Sequence, residues 1–228
     1  MRQNSFDSVW ENDIYGQGQH LNRYPYDSVV TFVFRHAPQN KPRGDVRILE
    51  VGCGAGNNLW FAAREGFCVA GVDASTSAIN YARQRFREED LNGEFKVGDF
   101  TELPWLDGLF DMVIDRTALT CCGWSAAQNA VTEIRRVLRQ GGVFHFNPYH
   151  ERHSSNASGE LGGDGVRMGI NHGSLKNVGQ IYFYSRRNIE QLFSKGWTIR
   201  SMQSMEMTEE MHAYREVHAE WRVIVEKL

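Results

Sequence analysis

The stretch Ile48-Leu49-Glu50-Val51-Gly52-Cys53-Gly54-Ala55-Gly56-Asn57 decides how this chain is read. The apolar, β-branched run over 46–51 predicts a buried strand. It ends in an acid, and three alternating glycines then open a helix predicted over 57–64 that stops near Gly66. Gly52, Gly54 and Gly56 carry no Cβ, so the backbone there can turn tightly and approach a ligand closely. A second predicted strand, 68–72, leads to Asp73, an acid about 20 residues further on and placed to accept hydrogen bonds from both hydroxyls of a ribose. A dinucleotide-binding turn, G-x-G-x-x-G, competes for this reading, but its third glycine falls on Asn57. A pyrophosphate also favours N–H groups and no carboxylate nearby, whereas a cation gains from one. Glu50 therefore points to a positively charged cofactor without phosphates.

Outward from this turn, strand-like and helix-like segments alternate. Asp27 is expected to cap a helix through His36, followed by a loop over 39–45. Ser75 is expected to cap a helix through Arg87, with Ala78, Ile79, Ala82 and Phe86 on one face. Short strands follow at 95–97 and 110–114, then a helix over 126–138 ended by Gly141-Gly142, and a strand at 143–146. The alternation implies parallel βαβ units. Residues 151–179 are rich in Gly, Ser, Asn and His and show no period, as in lids and binding loops. Ser185 is expected to cap a helix through Ser194, and strands over 197–205 and 217–225 would form an antiparallel edge.

Composition bounds the class. The chain has 228 residues, 41% hydrophobic and 23% charged, with a net charge of −3, an ordinary globular balance without the basic footprint of a nucleic-acid binder. Cys53, Cys68, Cys121 and Cys122 are too few and too clustered for a disulfide framework, which fits a reducing compartment. The polar start and the short apolar run 29–34 predict no signal peptide and no membrane span, so the expected location is cytoplasmic.

The ordered motifs resemble class I S-adenosylmethionine-dependent methyltransferases. E-x-G-x-G-x-G followed by Asp73 is similar to that family's first two motifs. Val97-Gly98-Asp99-Phe100, Phe110-Asp111-Met112-Val113-Ile114-Asp115 and Val137-Leu138-Arg139-Gln140-Gly141-Gly142 are similar to the next three, with Gln140 where the family usually has proline. The resemblance spans roughly residues 46–147. The runs 15–27 and 217–227 also look like uncharacterised bacterial members of the family. The resemblance implies a doubly wound, Rossmann-like α/β sheet, mostly parallel, with an antiparallel C-terminal edge and a helical N-terminal cap. It implies one domain over 1–228: a cap or lid at 1–40, a cofactor-binding core at 46–147, a loop insertion at 150–180 near the acceptor site, and a C-terminal helix and strands at 185–228.

It also implies S-adenosyl-L-methionine as cofactor. Gly52, Cys53 and Gly54 would line its methionine part, Asp73 would hold the ribose, Asp99 and Phe100 the adenine, Asp115 would lie beneath it, and Glu50 and Ala74 would also belong to the cofactor site. From the cap, Arg23 would pair with the cofactor carboxylate and Trp10 or Tyr15 would face the sulfonium; Gly16 and Gly18 supply flexible points, and Tyr24 and Tyr26 add aromatic surface. Candidate acceptor-site groups are Asn147, Tyr149 and His150 after the fifth strand, with His150 as a general base. Arg116, Thr117, His153, Tyr182 and Tyr184 are further candidates. Asn147-Pro148-Tyr149 follows the wrong strand to match the N-P-P-Y motif of base-amino methyltransferases. Arg83 to Asp90 reads as a solvated face, and Arg135, Arg136 and Arg139 as solvent or sheet-edge charges rather than a nucleic-acid patch. Cys121-Cys122 lacks zinc spacing, and no metal is expected.

The expected activity is methyl transfer to nitrogen or oxygen of a small acceptor, a sugar or sugar nucleotide being suggested by the polar loop. The alternatives are a protein or RNA methyltransferase of the same fold, and a non-catalytic cofactor-binding module.

Overall fold

The computed structural model describes residues 5–19, 21–211 and 215–228. The first four residues of the expected cap, and His20 within it, lie outside these. Seven strands form one sheet: β1 (Arg47–Val51), β2 (Cys68–Asp73), β3 (Glu94–Val97), β4 (Phe110–Arg116), β5 (Leu138–Asn147), and, after a small two-stranded ribbon β6 (Glu160–Leu161) and β7 (Arg167–Met168), β8 (Trp197–Thr208) and β9 (Val217–Lys227). The order is β3-β2-β1-β4-β5-β9-β8. The first five strands run parallel. β9 is antiparallel to both β5 and β8.

Period-two alternation splits each central strand between two cores. Leu49, Val51 and Val113 face one side, against α4 (Trp124–Val137) and α5 (Arg186–Leu192) through Ala127, Ile134 and Ile189. Ile48, Met112 and Ile114 face the other, against α1 (Asp27–His36), α2 (Asn57–Arg64) and α3 (Thr76–Glu88) through Phe32, Leu59 and Ile79. Helices on both faces of a largely parallel sheet explain why these strands read as continuous apolar runs.

Three expectations need correction. Asp27 is the first residue of α1 and makes no side-chain cap; its carboxylate instead takes both Arg222 amino groups, at 3.0 and 3.2 Å. Gly141-Gly142 does not end α4. The helix stops at Val137 and β5 starts at Leu138, with Gly141 at φ 68° where the β4–β5 register shifts. Arg136 and Arg139, expected as solvent or sheet-edge charges, are both structural: Arg136 donates to the carbonyls of Leu103 and Trp105, and Arg139 and Lys41 hold the buried Asp111 carboxylate. Ser75 caps α3 by accepting from the Ala78 amide, and Ser185 forms a capping box with Asn188, although α5 ends at Leu192. The 150–180 region is not a structureless loop: Ile170, Leu175 and Ile181 bury a small apolar cluster of their own. All four cysteines are free thiols. Among the described residues no helix is long and apolar enough to cross a membrane.

Candidate active site

A cleft of about 330 Å³ opens at the carboxyl ends of β1, β2 and β4, where open α/β sheets bind ligands. Gly52, Gly54 and Gly56 all take left-handed φ, between 50° and 74°. A Cβ on Gly52 would lie 2.1 Å from the Ala118 Cβ, and one on Gly54 would lie 2.4 Å from the Tyr15 hydroxyl. Absence of side chains thus lets the β4 loop and the N-terminal segment close on this turn. The Asp73 carboxylate ties the turn to α3 by accepting from the Gly54 and Ser75 amides, each at 2.8 Å. Glu50 lies on the cleft floor, 2% exposed. Asn58 donates to its Oε1 at 2.7 Å, while its buried Oε2 has no partner. Burial, only partly offset by Asn58, pushes its pKa up to about 8, and the Asp115 and Asp73 charges add to this.

The N-terminal segment supplies the facing wall. Its Glu11 carboxylate accepts from Ser75 Oγ and from Ser77 Oγ and N at the head of α3, and Asp7 accepts from the Gln180 amide at 2.9 Å. Trp10 and Tyr15, ring centroids 5.8 Å apart, both line the cleft. Asn57 and Asn58 pin the following stretch through the Tyr24 carbonyl and the Tyr26 amide, turning Asn22 and Tyr26 inward. Arg23 is exposed and lines no part of the cleft, so its assignment to a cofactor carboxylate is corrected.

Cys53, Ala74 and Phe100 line the cleft with Glu50, Gly52, Gly54 and Asp73. Asp99 stands just outside the lining, its carboxylate engaged by Thr101 and by Ser5 Oγ. Asp115 is fully buried and not part of the cleft wall. Its Oδ1 accepts from the Ala118 and Leu119 amides, each at 2.9 Å, and so shapes the loop after β4, while its buried Oδ2 has no partner. In that loop Thr117 is held at φ 62°, a left-handed conformation that a β-branched residue adopts only when its surroundings enforce it.

The acceptor candidates divide. Arg116, Thr117 and Tyr149 line the cleft. Arg116 bonds Glu220 at 3.2 Å and lies 4.2 Å over the Tyr26 ring, and burial pushes Tyr149 up to about 12. Asn147 and His150 do not line it, which corrects both as catalytic groups. Asn147 is buried between Ser28 Oγ and the Trp221 carbonyl, knitting α1 and β9 to β5. His150 stacks on Trp221 at 4.3 Å and accepts the Arg152 amide at Nδ1. Tyr182 and Tyr184 pack on Trp124, away from the cleft. His153 is buried behind the wall formed by Ser174 and His218, within 3.3 Å of both.

Sequence reading missed Asn57, Asn58, Ser174, His218 and Glu220. For the last two a signal existed. His218, Glu220 and Arg222 alternate on one face of a strand. Because β9 is antiparallel, its start passes the carboxyl end of β5, pairing Glu220 with Tyr149 and bringing that face to the cleft.

Comparison with known proteins agrees with this architecture. Residues 48–142 match a family model described as a methyltransferase domain. The chain is 32% identical over 139 residues to the fatty-acid O-methyltransferase of Mycolicibacterium smegmatis, covering 60% of this chain and 47% of that one. Residues 48–142 of this chain carry a methyltransferase domain. Its fold is shared with an S-adenosylmethionine-dependent methyltransferase of Methanosarcina mazei (TM-score 0.68, 20% identity, 83% of this chain and 95% of that one). It is shared too with the magnesium protoporphyrin IX methyltransferase of Synechocystis, solved with bound S-adenosylhomocysteine (TM-score 0.62, 16% identity, 89% and 81%). The matched segments span less than half the length of the curated relatives. S-adenosylmethionine is the cofactor of the methyltransferase domain, and the residues present fit it. The unpartnered Glu50 oxygen suits a cation, and the side-chain-free turn at Gly52 and Gly54 leaves room for close backbone contact.

Proposed function

We propose that this chain transfers the methyl group of S-adenosylmethionine to a nitrogen or oxygen of a small, polar acceptor. The observation that carries this is the buried, half-satisfied Glu50 carboxyl on the floor of a cleft walled by the glycine turn, Asp73 and Phe100. In this reading Glu50, Gly52, Cys53, Gly54, Asp73, Ala74 and Phe100 hold the cofactor, with Trp10 and Tyr15 closing over it and Asp99 exchanging its Ser5 contact for the adenine amino group. The cofactor supplies an electrophilic methyl on a sulfonium. The protein's part is to orient the nucleophile and exclude water.

Arg116, Tyr149, Ser174 and His218 line the other end of the cleft. These polar groups, set beside the apolar Leu175 and Val178, favour a hydroxylated acceptor such as a sugar over a pure hydrocarbon. Arg116 is already paired with Glu220, which favours a free sugar over a sugar nucleotide bearing phosphates. The N-terminal wall encloses the cleft and favours a small molecule over protein or RNA. The test uses the purified chain with methyl-labelled cofactor and a panel of methyl glucoside, glucosamine, dodecanoate, bulk RNA and protein extract. Label entering the glucoside or glucosamine is the expected result. Label entering only dodecanoate or a macromolecule overturns the acceptor class.

A further inference from the structure

The cleft is small for the two molecules it must hold. At about 330 Å³ it lies at the lower end of the range for a site that takes one small ligand. With the cofactor against the glycine turn, only the reacting part of an acceptor fits beside it, and the rest of the molecule needs further space. A groove of about 320 Å³ adjoins the acceptor end, and Ser174 and His218 line both.

Strand register explains how this groove arises. Apart from the Tyr149–Glu220 bridge, β9 pairs with β5 over 223–226, whereas it stays paired with β8 as far as Val217 and Thr208. The β8–β9 hairpin therefore overruns the end of β5 beside the cleft. Directly opposed residues of antiparallel neighbours point to the same face. Met207 is opposed to His218 and Met205 to Glu220, so both methionines stand on the face that His218 presents to the cleft. Met207 lines the groove and is 62% exposed, together with Thr208, Val217 and Ser154. An unbranched, polarizable methionine is a side chain that adapts to a flexible apolar partner.

The two residues at the junction are polar by type, but their polar atoms are engaged. His153 Nε2 lies 3.3 Å from both His218 Nδ1 and Ser174 Oγ, and His218 Nε2 faces Glu220 Oε2 at 3.7 Å. What they leave for a passing molecule is carbon, the ring edge of His218 and the Cβ of Ser174. Leu175, next to Ser174, and Val178 carry this apolar surface into the cleft. Glu209 and Glu216 also line the groove, and among the described residues no lysine or arginine does, so a tail bearing negative charge is repelled.

Resting on the methyltransferase reading and its sugar-like acceptor, we propose that the acceptor is an amphiphile: a hydroxylated head is methylated in the cleft, and an uncharged, unbranched alkyl chain runs past His218 and Ser174 into the groove under the β8–β9 hairpin, against Met207 and Val217. The head alone then binds weakly. Affinity rises with each methylene that leaves water, and Met207 is a specificity-determining residue for chain length.

The test is calorimetric titration of the full chain, loaded with S-adenosylhomocysteine, with methyl, butyl and hexyl glucoside, each below its micellar concentration. Label transfer from methyl-labelled S-adenosylmethionine to the same series gives KM and kcat. Kd and KM are expected to fall about twofold per methylene, half the free energy of complete burial, and so by about 30-fold from methyl to hexyl glucoside. The chain is remote from the reacting atoms, so kcat should change little. Met207→Glu, which sets a carboxylate beside the chain, is expected to remove most of this length dependence, with S-adenosylhomocysteine affinity unchanged as the control for folding. Equal affinity across the series, or a length dependence that Met207→Glu leaves intact, overturns the proposal. Label entering no glucoside while S-adenosylhomocysteine binds refutes the sugar-like head and the proposal with it. Absence of S-adenosylhomocysteine binding in the wild type would instead refute the methyltransferase reading itself.

Discussion

The two ends of the cleft are built in different ways. The cofactor end is mostly backbone: a turn of three left-handed glycines, with the Asp73 carboxylate tied to the Gly54 and Ser75 amides, all within Glu50–Ser75. The acceptor end is mostly side chains: Arg116, Tyr149, Ser174 and His218, with Glu220 behind, drawn from β4, the segments after β5, and β9. The contrast teaches that the cofactor end is fixed by local conformation, which tolerates no side chain. The acceptor end is fixed by a polar network, which can change partner by partner.

The largest expected effect tests the first half of this contrast. Gly52→Ala places a Cβ 2.1 Å from the Ala118 Cβ at a φ of 62°. Overpacking and left-handed strain of roughly 1–3 kcal/mol each should together weaken S-adenosylhomocysteine binding by about 100-fold in calorimetry. Asp73→Ala should weaken it by about 1–3 kcal/mol, the range for losing one partner of a buried polar contact. Unchanged affinity in either variant would break the claim that this end is conformationally fixed.

A smaller effect separates binding from stability at Glu50. Its folded pKa, about 8, lies above its ordinary value of 4.5. The folded, ligand-free chain therefore holds a proton that the unfolded chain releases, and its stability should fall as pH rises from about 4.5 to about 8. Glu50→Gln should abolish that decline and raise Tm at pH 8. It should also weaken S-adenosylmethionine binding by roughly tenfold, because the cation loses its carboxylate. Thermal melts across pH, paired with calorimetry, check both signs. The smallest effect concerns Arg23→Ala: the exposed Arg23 should change affinity by less than about twofold, as is usual for a surface substitution. A loss like that of Asp73→Ala would restore Arg23 to the site.

This difference in construction also explains what could be read from sequence. Glycine spacing, the acids at strand ends and the Ser75 and Ser185 caps are short-range signals, and the strand order from β1 to β5 follows from them. Where a polar residue serves packing, its type misleads. Asn147 and His150 sit at the correct end of β5 but turn into the α1–β9 and Trp221 contacts. Asp115 spends one oxygen on two amides of its own loop. His218 and Glu220 stand about 100 residues from Arg116 in sequence and become neighbours only because β9 inserts antiparallel beside β5. The alternation of His218, Glu220 and Arg222 marks one face of a strand, but no local pattern says that β9 rather than β8 lies beside β5.

The central claim is that the floor of this cleft is made for a sulfonium nucleoside. Calorimetric titration of the full chain with S-adenosylmethionine and, in parallel, with NAD tests it most directly. The account predicts saturable binding of S-adenosylmethionine with proton release below about pH 8, as the cation turns Glu50 into its carboxylate form, and no saturable binding of NAD. Saturable binding of NAD, with no heat from the adenosyl sulfonium, would contradict it.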